Sequence, residues 1–341
     1  MVHGSTPLAD GWNISERARD LHERALVCDL HGCMPLRPDA DLSELSRYRR
    51  SGANYISINV GMDLNSWPDT VKVLAHFRAW VLARGDEYVL AGTAADVRDA
   101  FRGGRLAVVF DLEGAEAIAG QISMIPMYYH LGVRSVGFAY NKTNTLAGGC
   151  ADADPGLTPL GRRAVAEMNR VGMLVDCSHV GVRSSLDIMT ASSQPVVFTH
   201  SNPAALLPHV RNITDEQIRA CAATGGVIGI VGSGRFLDPD GRIRPETFVR
   251  HIDYVAQLVG VSHVAIGVDC VFDVAELDNW IKTLPDFFPP SVLKTQGQPE
   301  RPKPELLPEI TEGMVRLGYS DEAIRGVLGE HFLRVAERVW K

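Results

Sequence analysis

Short apolar runs alternate with amphipathic stretches along most of the chain. The runs fall at residues 26–29, 55–60, 107–111, 135–140, 173–177, 196–199, 227–231 and 264–268. Most are continuous Val, Ile, Leu and Phe rather than alternating, the pattern of parallel strands buried on both faces. Between them the spacing predicts helices over 43–51, 70–84, 93–102, 124–131, 158–171, 182–191, 215–223 and 245–259. The clearest start is at Thr158, which can cap, with Pro159 in the first turn and Gly172 at the stop. Eight strand-then-helix units predict an α/β fold, a (β/α)8 TIM barrel with C-terminal helices at 311–317 and 321–340. An open doubly wound sheet is the alternative, weakened because no Gly-x-Gly-x-x-Gly turn follows the first strand.

The expectation is a single domain over 1–341, with the barrel at about 25–275 and closing helices at about 308–340. A proline-rich arm at about 284–307 follows the eighth strand, on the side where barrel active sites sit. It is either a lid or an irregular connection.

Composition narrows the class. With 34 basic and 41 acidic residues the formal charge is 34 − 41 = −7, and no basic stripe stands out, which argues against a nucleic-acid partner. The leader 1–24 is polar, and no run reaches the roughly 18 apolar residues that span a bilayer, so no membrane partner is expected. Six cysteines without a CxxC pair predict reduced thiols and a cytoplasmic location.

The chemistry-bearing residues gather at predicted strand ends. His31 and Cys33 follow strand one, Asp111 and Glu113 end strand three, Asp176 and His179 strand five, His200 strand six, and Asp269 strand eight. In a barrel those ends share one mouth. Imidazole with carboxylate suits Zn²⁺, Mn²⁺ or Fe²⁺. A metal there would acidify a water and polarise a carbonyl, beside a carboxylate able to shuttle protons. One such histidine alone is an ordinary structural residue; three with a glutamate point to a metal site. Asp111 and Asp176 are candidates for orienting their neighbours.

Several blocks carry a resemblance: Gly-Leu-Thr-Pro-Leu-Gly at 156–161, residues 167–180, Pro-Val-Val-Phe-Thr-His-Ser at 195–201, and Arg211-Asn212 before Asp215. Gly225-Gly226-Val227, residues 263–269 and residues 329–335 continue it. In these blocks, and in their order, the chain resembles the membrane dipeptidase (renal dipeptidase) family of zinc metallopeptidases. The resemblance implies a dipeptidase with one or two Zn²⁺ ions. It implies Glu113 as the bridging ligand, His31 on the first metal, and His179 with His200 on the second. Asp269 matches the family's proton-handling aspartate and Arg211 its clamp for the substrate's terminal carboxylate, whereas without the motif Arg211 reads as a surface arginine. The expected partners are a small peptide or amide substrate and a second copy in a homodimer.

Two positions depart from that pattern. Where the family has His-x-Asp, the chain has His31-Gly32-Cys33. Cys33 is a sulfur ligand in an intact two-metal site, the mark of a weakened first site, or a packing residue. Where the family has a histidine before Asn, the chain has Tyr140-Asn141. The phenol can preserve hydrogen bonding to an oxyanion, alter the substrate, or mark loss of the role. Alternatives to the dipeptidase reading are therefore hydrolysis of another amide or N-acyl amino-acid conjugate, and a metal-binding barrel without peptidase activity.

Overall fold

The computed structural model describes Leu8 and residues 11–341; residues 1–7 and 9–10 of the polar leader lie outside the described residues. The strands are β1 (Cys28–Cys33), β2 (Tyr55–Met62), β3 (Tyr88–Leu90), β4 (Leu106–Glu113) and β5 (Val133–Gly137). They continue with β6 (Leu174–Asp176), β7 (Val196–Val197), β8 (Ile228–Ile230), β9 (Val264–Ile266) and β10 (Cys270–Val271). Parallel pairing runs β10-β1-β2-β4-β5-β6-β7. A bridge from Phe198 to Ile228 carries it on to β8, β8 pairs with β9, and β10 extends the β9 segment back to β1 through Gly32 and Cys270. The parallel sheet thereby curls into the predicted TIM-type barrel.

The strands outrun their apolar patterns. β1 and β4 extend through His31, Cys33 and Glu113, because the ladder continues where the side chains turn polar. β3 was not predicted. Its three residues pair only with the first half of β4, and β5 takes the second half.

The helices Val182–Ala191, Asp215–Ala223 and Pro245–Val259 fall where the spacing puts them. Trp67–Leu82 starts earlier than predicted because Ser66 caps it by accepting from the Asp69 amide. Glu16–Arg24 and Val274–Thr283 were not predicted, and the expected arm contains a short helix, Pro290–Leu293. Leu306–Arg316 begins before the predicted 311, and a π-helical turn at Gly326–Glu330 interrupts the last helical stretch.

The core has two parts, set by strand alternation. On β4, Val108, Phe110 and Leu112 pack outward with Phe77 and Tyr128 of the helical layer. Ala107 and Val109 belong to an inner cluster with Cys28, Tyr55, Leu174, Val197 and Ala265. Phe332 and Trp340 from the C-terminus complete that inner cluster, with Tyr55 and Phe332 ring centroids 5.0 Å apart. Tyr55 opens β2, so the C-terminal helix His331–Val339 plugs the end of the barrel where the strands begin. No helix among the described residues is long and apolar enough to cross a membrane.

Candidate active site

The opposite end of the barrel gathers the predicted ligands around one carboxylate. Glu113 Oε1 lies 3.4 Å from His31 Nε2, 3.1 Å from His179 Nε2 and 3.2 Å from His200 Nε2. Cys33 Sγ is 3.4 Å from His31 Nε2, and Asp269 Oδ1 is 3.9 Å from the same nitrogen. Two ligand-like groups result, His31 with Cys33 and Asp269, and His31 with Glu113 and His200.

The outer ring nitrogens determine what the inner ones can do. His179 Nδ1 is 2.8 Å from Asn141 Oδ1, and the Asn141 amide is oriented by its Nδ2 donating to Phe287 O at 3.0 Å. His200 Nδ1 is 2.8 Å from Thr199 Oγ1, whose proton goes to Asp176 Oδ2 at 2.5 Å. His31 Nδ1 faces Asp111 Oδ1 at 3.4 Å. Each imidazole is thus held with its proton on Nδ1 and its Nε2 lone pair facing Glu113. His179 Nε2 and His200 Nε2 are then two acceptors 2.9 Å apart, both pointing at a carboxylate. Such a donor set repels itself unless a cation sits among it, so these residues fit a divalent metal.

Electrostatics follow the same geometry. Burial, aided by the Arg211 charge, holds His179 and His200 well below the ordinary imidazole range. Burial opposes charging of His31 too, but Glu113 and Asp111 override it and push His31 upward, so a metal at Nε2 would displace a proton to free that lone pair. Burial raises Asp269 to about 7 and the Cys33 thiol to about 12, with His31 opposing both.

The backbone is shaped to aim these groups. Asn141, His179 and Asp269 adopt φ of 60°, 65° and 66°, a left-handed conformation costing a non-glycine residue roughly 1–3 kcal/mol. Gly32 leaves room for Tyr48, whose hydroxyl would lie 2.5 Å from a Cβ there. A Cβ at Gly114 would lie 2.2 Å from Asp63 Oδ1.

That aspartate is the residue the sequence reading missed. Asp63 follows β2 and accepts from the amides of Ala115, Glu116 and Tyr140 at 2.6, 3.0 and 2.9 Å, and from Asn144 Nδ2 at 2.9 Å. It ties the segments after β2, β4 and β5 into one rim. Burial lifts its carboxyl to about 6 against those hydrogen bonds. Asp63 is a rim-tying residue rather than a ligand, but like the candidate ligands it sits at a strand end.

Arg211 is not a surface residue: it is 2 % exposed, and its Nε has no partner among the described residues. Its Nη2 donates to His200 O at 3.4 Å, and its guanidinium lies 5.4 Å from the centre of the Phe236 ring. Tyr140 stacks on His179 with ring centroids 4.4 Å apart. Cys33, Glu113, Tyr140, His179, Arg211 and Asp269 all line one cavity, with Phe236, Trp280 and Phe288 among its apolar walls. Cys28, Cys177 and Cys270 are buried, and all six cysteines are free, as the reduced-thiol reading expects.

The sequence profile described as membrane dipeptidase (peptidase family M19) matches residues 15–287. The chain belongs to the membrane dipeptidase family. It is accordingly a hydrolase of the metal-dependent dipeptidase type. A protein described as lying in the pqqA 5′ region of Klebsiella pneumoniae is 33% identical over 260 residues, 73% of this chain and 88% of that one. The dipeptidase tcpJ of Claviceps purpurea (strain 20.1) is 31% identical over 258 residues, 74% of this chain; the match spans only 56% of that longer protein. Among solved structures, an amidohydrolase from Pseudomonas aeruginosa superposes with a TM-score of 0.87 at 27% identity, covering 95% of this chain and 99% of the other.

Proposed function

We propose that this chain cleaves the amide bond of short peptides, with zinc held by His31, Cys33, Glu113, His179 and His200. The observation that carries the reading is the convergence of three Nε2 lone pairs on Glu113 in a cavity that also holds Asp269 and Arg211. Bound metal at this centre would acidify a water and polarise the scissile carbonyl. Glu113 bridges the two halves of the ligand set. Asp269 takes the proton of the attacking water and returns it to the leaving amine, so that the C–N bond breaks as the C–O bond forms. Arg211 pairs with the substrate's terminal carboxylate, a contact suited to a guanidinium whose Nε has no other partner. Tyr140, protonated because burial raises its phenol well above the ordinary range, donates to the carbonyl oxygen.

The six free thiols support a cytoplasmic setting, and family resemblance supports a homodimer. We read the whole chain as a single barrel domain whose terminal helix seals its floor.

Elemental analysis of wild type and Cys33→Asp, with dipeptide turnover in parallel, tests the assignment. The expected result is about two zinc ions per wild-type chain together with turnover. One ion or none in wild type, with a second ion and turnover gained only in Cys33→Asp, would remove Cys33 from the ligand set.

A further inference from the structure

Charged groups of both signs line the cavity; its acids are Glu113, Asp269, Asp273 and Glu276, and Asp269 feels the Arg211 and Arg301 charges. Three guanidinium groups line it, from Arg211, Arg235 and Arg301. Arg301 pairs with Asp278 at 2.5 Å. The lining acids Asp273 and Glu276 are already engaged by Arg37, at 2.7 and 3.3 Å. Glu113 is taken up by the three imidazoles. Arg235 donates to Leu293 O, and no carboxylate pairs with it among the described residues. A guanidinium carries five N–H donors, so most of its capacity is left. Burial and the adjacent Arg301 charge both disfavour its cation, and an incoming anion would relieve that cost.

Arg235 stands on the same side as Arg211. Phe236, its chain neighbour, lies beneath the Arg211 guanidinium and against the His209 ring, 4.8 Å between centroids. His209 Nδ1 accepts from the Arg211 amide at 3.1 Å, and its ring feels both guanidinium charges. The two cations therefore flank one Phe236–His209 pair. Both guanidinium groups line the same cavity, so a ligand held by Arg211 shares its chamber with Arg235.

We propose that the amino acid released by this enzyme is acidic: Arg211 takes its α-carboxylate and Arg235, reinforced by Arg301, its side-chain carboxylate. The substrate is then a dipeptide, or a related acylated amino acid, ending in aspartate or glutamate. This rests on the reading of Arg211 as the clamp for the terminal carboxylate.

Two measurements on the zinc-loaded protein test it. The first is calorimetric binding of N-acetylaspartate against N-acetylasparagine, which differ only in the second anion. The second is kcat/KM for Ala-Asp against Ala-Asn, with both enantiomers of the second residue. Wild type is expected to favour the acid roughly 10–100-fold in each, as for one charge-assisted contact. In Arg235→Met that ratio should fall to near unity, and in Arg235→Lys it should fall only part-way; thermal melting verifies that each variant is folded. Equal handling of acid and amide by wild type, or a ratio unchanged in Arg235→Met, overturns the proposal. Cleavage of both dipeptides at one rate leaves the hydrolase reading standing and removes this one. Acid-selective binding lost in Arg235→Met, with neither dipeptide cleaved, removes the hydrolase reading and keeps the paired-anion site.

Discussion

At the mouth of the barrel, where the strands end, three imidazoles and a glutamate crowd together and Asn141, His179 and Asp269 hold left-handed backbone. Ser201 Oγ and Arg211 Nε are buried there without partners among the described residues. At the floor, Tyr55, Phe332 and Trp340 fill the space by shape within a cluster of buried apolar side chains. The mouth contains arrangements that cost stability and make sense only with ions and substrate present. The floor gains stability from burial and asks nothing of a ligand. One end works at the other's expense, and variants at the two ends should divide cleanly between activity and stability.

The largest effect expected is at the mouth. Asp269→Asn should lower kcat by roughly 10²–10⁴-fold. Its zinc content by elemental analysis and its melting temperature should stay close to wild type. Undiminished turnover would take the proton-handling role away from this residue and blur the division.

At the floor the pattern should invert. Phe332→Ala should cost roughly 3–5 kcal/mol in urea unfolding, the usual loss for a large buried aromatic side chain. KM should not change, since Phe332 does not line the cavity. An altered KM with intact stability would show that the two ends are coupled.

A smaller effect sharpens the comparison by pH. His22 lies in the helix leading into β1, with Nδ1 2.8 Å from Thr311 Oγ1 and Nε2 2.8 Å from Ser51 O. Burial lowers its pKa from 6.5 to about 4, with the Ser51 carbonyl opposing. The unfolded chain therefore binds this proton first as pH falls. The contribution is fully present above about 6.5 and is lost on acidification toward about 4, at most about 3 kcal/mol. Urea titrations at pH 7 and 4.5 should show a steeper acid loss in wild type than in His22→Gln. Equal losses would mean that His22 does not report on the folded scaffold.

How much of this was legible beforehand depends on how far each signal extends along the chain. Strands such as β4 were readable because a parallel strand buried on both faces leaves an unbroken apolar run. β3 and β10 were not, although β6 to β9 are equally short, because both are only partly buried and so lack an unbroken run of core residues. Val274–Thr283 was missed because none of its residues is fully buried, so its apolar face is only weakly marked. His31, Glu113, His179 and His200 could be named because each sits at a strand end. Asp63 escaped although it obeys the same rule, since its partners Ala115, Tyr140 and Asn144 come from other segments.

By itself the sequence determined the barrel, the family and the candidate ligands at the strand ends, because periodicity and local motifs are written along the chain. Only the tertiary structure decided which ring nitrogen of each histidine faces Glu113, that Arg211 is buried, and that Phe332 and Trp340 close the floor. It alone placed Arg235 in the same cavity as Arg211, with no carboxylate paired to it among the described residues. These are contacts between segments remote in sequence, and no local pattern encodes a hydrogen-bond partner or a missing counter-charge.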